Sequence, residues 1–193
     1  MSNAIYKSSM FKDPTTWTMI VVAIVCYVMS AVPYMHKHEM PKHNYFYLIW
    51  AGLFTLYTIG SILLYRAITK RGADEEEDCY GDIYDSDYLG AQDASKVCLL
   101  MFILLMLSML AWSYAHCIMK SHLAMTFVSL MSLCFLAAQM ILGWIYAKSN
   151  SWPCFLILPL FVWILIFGVA WSACKAMMKQ MMKPSAPPLE EGY

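Results

Sequence analysis

The architecture follows from residues 97–174, which read VCLLMFILLMLSMLAWSYAHCIMKSHLAMTFVSLMSLCFLAAQMILGWIYAKSNSWPCFLILPLFVWILIFGVAWSAC. Within this segment lie three long runs without formal charge: Val97–Met119, Leu123–Ala147 and Trp152–Cys174. Each run exceeds the roughly 20 apolar residues that an α-helix needs to cross the hydrocarbon core of a bilayer. The polar breaks between the runs, at Lys120 and Lys148, are too short to hold a domain. The segment therefore predicts three consecutive transmembrane helices.

Two further uncharged runs, Trp17–Met35 and Tyr45–Tyr65, precede this segment. Each is long enough to span a membrane, and aromatic residues near their ends suit the membrane interfaces. The whole chain thus predicts an all-α, polytopic membrane helix bundle with five transmembrane helices. The alternative is a four-span arrangement, in which one run is re-entrant or lies at the interface.

Composition divides the chain into five segments: a polar N-terminal segment at 1–16, transmembrane helices at 17–69, an acidic loop at 70–96, transmembrane helices at 97–174, and a basic juxtamembrane segment with a proline-rich tail at 175–193. The acidic loop holds nine of the 13 acidic residues. Because like charges repel along such a run, we expect a solvated and extended loop.

Composition and motifs also exclude several classes of function. The chain is 61% hydrophobic and 13% charged with zero formal net charge, which gives no basis for nucleic-acid binding. Its seven cysteines form no CxxC pair, so neither a zinc site nor a disulfide framework is predicted. The three histidines within residues 36–43 are interpreted as part of a solvated turn rather than a metal site. We also find no nucleophile–base pair and no phosphate-binding loop, so we expect neither an enzyme nor a bound cofactor.

Two polar side chains lie within the predicted spans. Gln139 falls well inside the fourth run, where a buried amide needs a partner on a neighbouring helix. His116 lies near the end of the third run. No Asp, Glu, Lys or Arg lies within any of the five cores, whereas a coupled transporter usually needs such a residue at membrane depth. A small channel or carrier is therefore an alternative function only.

The C-terminal tail carries the most specific motif. Residues Pro184, Ser185, Ala186 and Pro187 read PSAP in a proline-rich context that favours an extended, pre-formed conformation. This motif resembles the P(S/T)AP late motif, which implies binding to the ubiquitin-conjugating-like subunit of ESCRT-I. The lysines at 175, 179 and 183 favour a cytosolic tail, as this binding requires. Cys174, at the membrane edge, is then a candidate for lipidation.

The span layout and the PSAP-containing tail together resemble the lysosomal-associated transmembrane protein family. The resemblance implies a multispanning protein of trafficking or membrane organisation, located in endosomes or lysosomes or at the plasma membrane, with the bilayer and ESCRT-I as partners. A homo-oligomer is a further expected partner. The alternative is a viral envelope protein that uses the same motif for budding.

Overall fold

The computed structural model describes residues 13–36, 45–78, 86–147 and 152–181. They form five α-helices: α1 (Pro14–His36), α2 (Tyr45–Asp78), α3 (Ser86–Tyr114), α4 (His122–Tyr146) and α5 (Pro153–Met181). A π-helical turn, Ala115–Met119, continues α3. The predicted all-α membrane bundle is confirmed.

Sequence chemistry explains where the first helix begins. The carboxylate of Asp13 accepts hydrogen bonds from the Thr15 backbone N–H at 3.0 Å and from the Thr16 hydroxyl at 3.1 Å. Pro14 occupies the first helical position, where its missing N–H is not needed. Asp13 thus caps α1 and fixes the point at which the chain enters the bundle.

Five stretches within these helices are long and apolar enough to cross a membrane: Pro14–Pro33, Leu48–Lys70, Asp93–Met119, His122–Tyr146 and Pro153–Gln180. The surface of the bundle supports the same conclusion. Trp144 is 87% exposed and Leu123 is 70% exposed, although both are large and apolar. A surface rich in such side chains is typical of a bundle surrounded by lipid. The chain is therefore a multispanning integral membrane protein.

The acidic segment differs from the prediction. Residues 70–96 were expected to form a loop, but α2 continues to Asp78 and α3 already begins at Ser86. Lys, Arg, Ala and Glu are strong helix formers, and they make up most of residues 70–78. These local preferences outweigh repulsion between the acids. Residues 79–85 lie outside the described parts of the chain.

The helices pack around α3, which contacts α1, α2 and α4, while α5 packs on α2 and α4. The centre of the bundle is fully buried at Leu64, Cys98, Leu105, Leu136 and Leu156. Two glycines allow α5 and the residue before it to approach closely. A Cβ on Gly60 would lie 2.6 Å from Leu156 Cδ2, and one on Gly143 would collide with the Trp152 ring and lie 2.7 Å from Leu64 Cδ1.

We expect Gly143→Ala to destabilise the bundle. The added methyl group must displace a buried indole ring, and overpacking of this kind costs about 1–3 kcal/mol. Gly168→Ala is the matched control, because a Cβ at that helical glycine meets nothing within 4 Å. Thermal unfolding in one detergent should give a lower midpoint for Gly143→Ala and an unchanged or higher midpoint for Gly168→Ala. Equal midpoints for the two variants would contradict the packing described above.

Candidate functional site

A tight chain reversal between α3 and α4 shapes one end of the bundle. The π-helical turn ends at Lys120, the only non-glycine residue of the described chain with positive φ (φ 48°, ψ 30°). Ser121 then caps α4, since its hydroxyl accepts a hydrogen bond from the Ala124 N–H at 3.3 Å. π-Helical turns occur frequently at functional sites. Here the reversal brings His116, Lys120 and His122 to the same end of the bundle.

These three residues border a cavity of about 660 Å³, which we call the basic-rimmed cavity. The cavity lies between the end of α3, the start of α4 and the second half of α5. Its remaining walls are apolar and comprise Trp112, Met125, Leu165, Ile166, Val169, Ala170 and Ala173. The arrangement therefore joins a large apolar space to a small set of polar groups.

Stacked aromatic rings form one wall of the cavity. The His116 imidazole lies parallel to the Trp112 indole, with ring centroids 5.2 Å apart. Behind them, Trp50 of α2 contacts Trp112 at 5.2 Å and Trp163 of α5 at 6.1 Å. Because Trp50, Trp112 and Trp163 are all buried, these contacts hold α2, α3 and α5 at fixed positions around the cavity.

The α5 wall of the cavity is open to the side. Leu165 is 68% exposed and Val169 is 70% exposed, although both line the cavity. Both lie in a segment long and apolar enough to cross the membrane. The opening therefore faces the bilayer, with the basic rim at the level where α3 and α4 reach the membrane surface.

A second space, of about 390 Å³, lies between α1 and α2. The hydroxyls of Thr16, Thr55 and Thr58 line it, but each already donates a hydrogen bond within its own helix or its cap. No described residue that lines this space is charged. Besides these threonines, only Tyr27 brings a polar side-chain group to the lining. This space therefore has fewer groups that could orient a ligand, and we consider the basic-rimmed cavity the better candidate.

Gln139 lies at the centre of a separate polar cluster, as its position in the fourth run led us to expect. Its side-chain oxygen accepts hydrogen bonds from the Tyr57 hydroxyl at 2.6 Å and the Ser61 hydroxyl at 3.3 Å. Its side-chain nitrogen donates to the Cys98 carbonyl at 3.1 Å. The cluster is buried and links α2, α3 and α4, so it has a structural role at membrane depth.

The site residues that the sequence predicts are not among the described residues that line the basic-rimmed cavity. Pro184, Ser185, Ala186 and Pro187 fall outside the described residues. Cys174 is described and its thiol-bearing side chain is buried, so acylation there would require local exposure of the thiol. Both the ESCRT-I motif and the lipidation site stay predictions. Within the described residues, no group of three or more His, Cys, Asp or Glu side chains is placed to hold a metal ion.

Sequence reasoning missed most of the cavity. The sequence marks His116 only as a polar residue near a span end, and Lys120 only as a break between two runs. Both positions carried a signal, since a basic residue between two apolar runs must lie near a membrane surface. The sequence gives no such signal for Trp112 or for the α5 wall, because their proximity depends on how the helices pack.

Comparison with known proteins identifies one family. The model of the TspO/MBR family matches residues 36–174, which include α2, α3, α4 and most of α5. No curated protein and no solved structure matches the chain. The predicted resemblance to the lysosomal-associated transmembrane protein family is wrong, because a different family matches nearly three quarters of the sequence. All residues that line the basic-rimmed cavity lie within the matched region.

We expect Gln139→Leu to lower stability by about 1 kcal/mol, since hydrogen bonds between transmembrane helices contribute on this scale. Tyr57→Phe removes the strongest partner and should have a similar effect alone, but little further effect when added to Gln139→Leu. Unfolding measurements on the two single variants and the double variant give the coupling energy. Ser172→Ala is the control, because that exposed hydroxyl bonds only within α5. Full additivity of the two substitutions would contradict the cluster.

Proposed function

This chain belongs to the TspO/MBR family, and on that premise we propose that it is a membrane-embedded binding protein whose basic-rimmed cavity takes up an apolar small molecule from the bilayer. The observation that carries the proposal is the cavity itself. Its volume of about 660 Å³ lies within the roughly 300–1,000 Å³ typical of small-molecule sites. Such sites combine mostly apolar walls with a few placed polar groups, as this cavity does.

The lateral opening supports uptake from lipid rather than from water. An apolar molecule dissolved in the bilayer reaches Leu165 and Val169 directly, without crossing the polar surface. The stacked rings of Trp112 and His116 provide a flat, rigid wall against which such a molecule packs at low entropic cost. The fixed aromatic contacts behind this wall keep the cavity pre-formed.

The chemistry of the lining favours binding over catalysis. The described residues of the cavity include two imidazoles and an ammonium, but no Ser, Thr, Cys, Asp or Glu to act with them as a nucleophile or an acid. We therefore propose a receptor or carrier of small molecules rather than an enzyme. A channel is not favoured, because the buried amide of Gln139 is bonded to neighbouring helices.

The tail provides a separate proposal. ESCRT-I recruitment through Pro184–Pro187, with a trafficking or budding role, is supported by the PSAP sequence and its proline-rich context. We expect replacement of Pro184 and Pro187 by Ala to abolish capture of purified ESCRT-I by the full chain, while binding in the cavity is unchanged. Capture that survives both substitutions would end this proposal and leave the cavity proposal intact.

The cavity proposal is tested with 4-benzoylbiphenyl, a neutral apolar photoprobe. In lipid nanodiscs, we expect saturable labelling of the α5 peptide, which excess 4-phenylbiphenyl suppresses. Ala173→Leu should reduce this labelling at least fivefold, because the added side chain projects from a residue that lines the cavity. Ala176→Leu is the matched control on the same helix, exposed and outside the cavity. Labelling that does not saturate, or that is equal in both variants, would contradict the proposal.

A further inference from the structure

We propose that α5 binds one anionic phospholipid at a site separate from the basic-rimmed cavity. The phosphate of the lipid lies at the ammonium groups of Lys175 and Lys179, and its acyl chains lie along the rings of Trp171 and Phe167. The inference goes beyond the proposed function, because it depends neither on the cavity nor on its polar rim. It follows from the spacing, the contacts and the exposure of these four side chains.

Four side chains spaced by four residues form a ridge along α5, which we call the aromatic–basic ridge: Phe167, Trp171, Lys175 and Lys179. Side chains at this spacing lie one above another on the surface of a helix. None of the four lines the basic-rimmed cavity. At 3.6 residues per turn, the ridge lies on the flank of α5 opposite Val169 and Ala173, which do line the cavity. The ridge and the cavity are therefore separate surfaces.

The two rings and the first ammonium group of the ridge contact one another. The rings of Phe167 and Trp171 lie nearly parallel, at an interplanar angle of 13° and a centroid separation of 6.4 Å. The Lys175 ammonium lies 5.9 Å from the centroid of the Trp171 ring, within the range of a cation–π contact. Trp171 is 44% exposed, and tryptophan favours the level of the lipid headgroups. The ridge therefore places a positive charge at that level.

The last turns of α5 are open to the headgroup region. Every residue from 175 to 180 is exposed, whereas Cys174 is buried. The exposed part of α5 thus extends for about 9 Å at the rise of an α-helix. Lys179 lies one turn beyond Lys175, about 6 Å along the helix axis. Because lysine side chains are long and flexible, one phosphate group is within reach of both ammonium groups.

The local charges favour an anion at the ridge. Neither Lys175 nor Lys179 has an ion-pair partner within the described chain. The open carbonyl groups at the end of α5 oppose an anion, but they amount to only about half of one negative charge. In the sequence, the segments 37–44 and 182–193, which adjoin this end of the bundle, contain three lysines and three glutamates, so these formal charges cancel. The positive charges of the two ridge lysines therefore exceed the opposing charge.

A phospholipid fits both parts of the ridge, whereas a soluble anion fits only one. The phosphate meets the two lysines, and the acyl chains meet the rings that face the bilayer. The lysines that follow the last span predict that this end of the bundle is cytosolic. The cytoplasmic leaflet contains anionic phospholipids, which attract basic residues next to a span. The predicted orientation therefore provides a lipid of the required chemistry.

Native mass spectrometry of the full chain tests the inference, by counting bound dioleoyl phosphatidylglycerol or dioleoyl phosphatidylcholine. We expect the first phosphatidylglycerol to bind about tenfold more tightly than the first phosphatidylcholine, as two lysines near a membrane surface provide. Replacing Lys175 and Lys179 together by Gln should abolish this preference, and replacing both by Arg should retain it. Lys96→Gln is the matched control and should have no effect, because Lys96 already pairs with Asp93 at 3.0 Å.

The rings are tested with two further variants. Trp171→Leu should weaken phosphatidylglycerol binding about threefold, because the Lys175 ammonium loses its cation–π contact. Trp171→Phe keeps an aromatic face and should weaken binding less than Trp171→Leu. Equal binding by Trp171→Leu and the wild-type chain would contradict the position proposed for the lipid.

Three results would overturn the inference as a whole. The wild-type chain could bind the two lipids equally, or the preference could survive replacement of Lys175 and Lys179 by Gln. Displacement of phosphatidylglycerol by millimolar inorganic phosphate would instead assign the ridge to a soluble anion. Labelling of α5 by 4-benzoylbiphenyl should be unchanged in the double Gln variant, so the cavity proposal and this inference fail independently.

Discussion

The structure depends on one constraint: in hydrocarbon, a polar group without a partner is costly, so a buried amide or hydroxyl is paired inside the protein. Among the described residues, the indole N–H groups of Trp112 and Trp152 are buried without a hydrogen-bond acceptor. Gln139 is the clearest case of a paired group. Its amide is bonded at both ends, to Tyr57 and Ser61 on one helix and to the Cys98 carbonyl on another. Because these bonds require one register of α2, α3 and α4, the cluster selects a single packing among the many that uniformly apolar helices would allow. The position of α5, and with it the cavity wall, follows from that packing through the close contact at Gly60.

A second constraint is the short connection between α3 and α4. Only Lys120 and Ser121 separate the π-helical turn from the next helix, so the reversal needs a residue in the left-handed conformation. Lysine there places a positive charge at the membrane surface, beside the start of α4. The same short connection that allows two spans to pack side by side therefore also creates the basic rim. The short connection between α3 and α4 thus determines both the packing of these helices and the position of the basic rim.

Much of the fold could be predicted from the sequence, and the candidate site mostly could not. Long uncharged runs have one stable solution in a bilayer, so the five helices were predictable, as was the need of Gln139 for a partner on another helix. The acidic segment departs from the expected loop because its helix propensity outweighs the repulsion between its charges. Span number and a four-residue motif do not predict the family, because unrelated membrane proteins share both features. Trp112, Lys120 and Val169 line the same cavity only because α3, α4 and α5 pack together. No local sequence pattern predicts that these residues lie close to one another.

The cavity itself requires an explanation, since helix bundles normally close-pack. The described parts of α3 and α5 do not pack against each other, and Trp50 of α2 contacts both Trp112 on α3 and Trp163 on α5. Through these two contacts Trp50 links α3 and α5, although it does not itself line the cavity. Because the cavity opens to the bilayer, its apolar walls keep their dispersion contacts through whichever molecule lies against them, lipid or ligand. A ligand that binds only the folded bundle stabilises it, so ligand binding and stability are two measures of the same free energy.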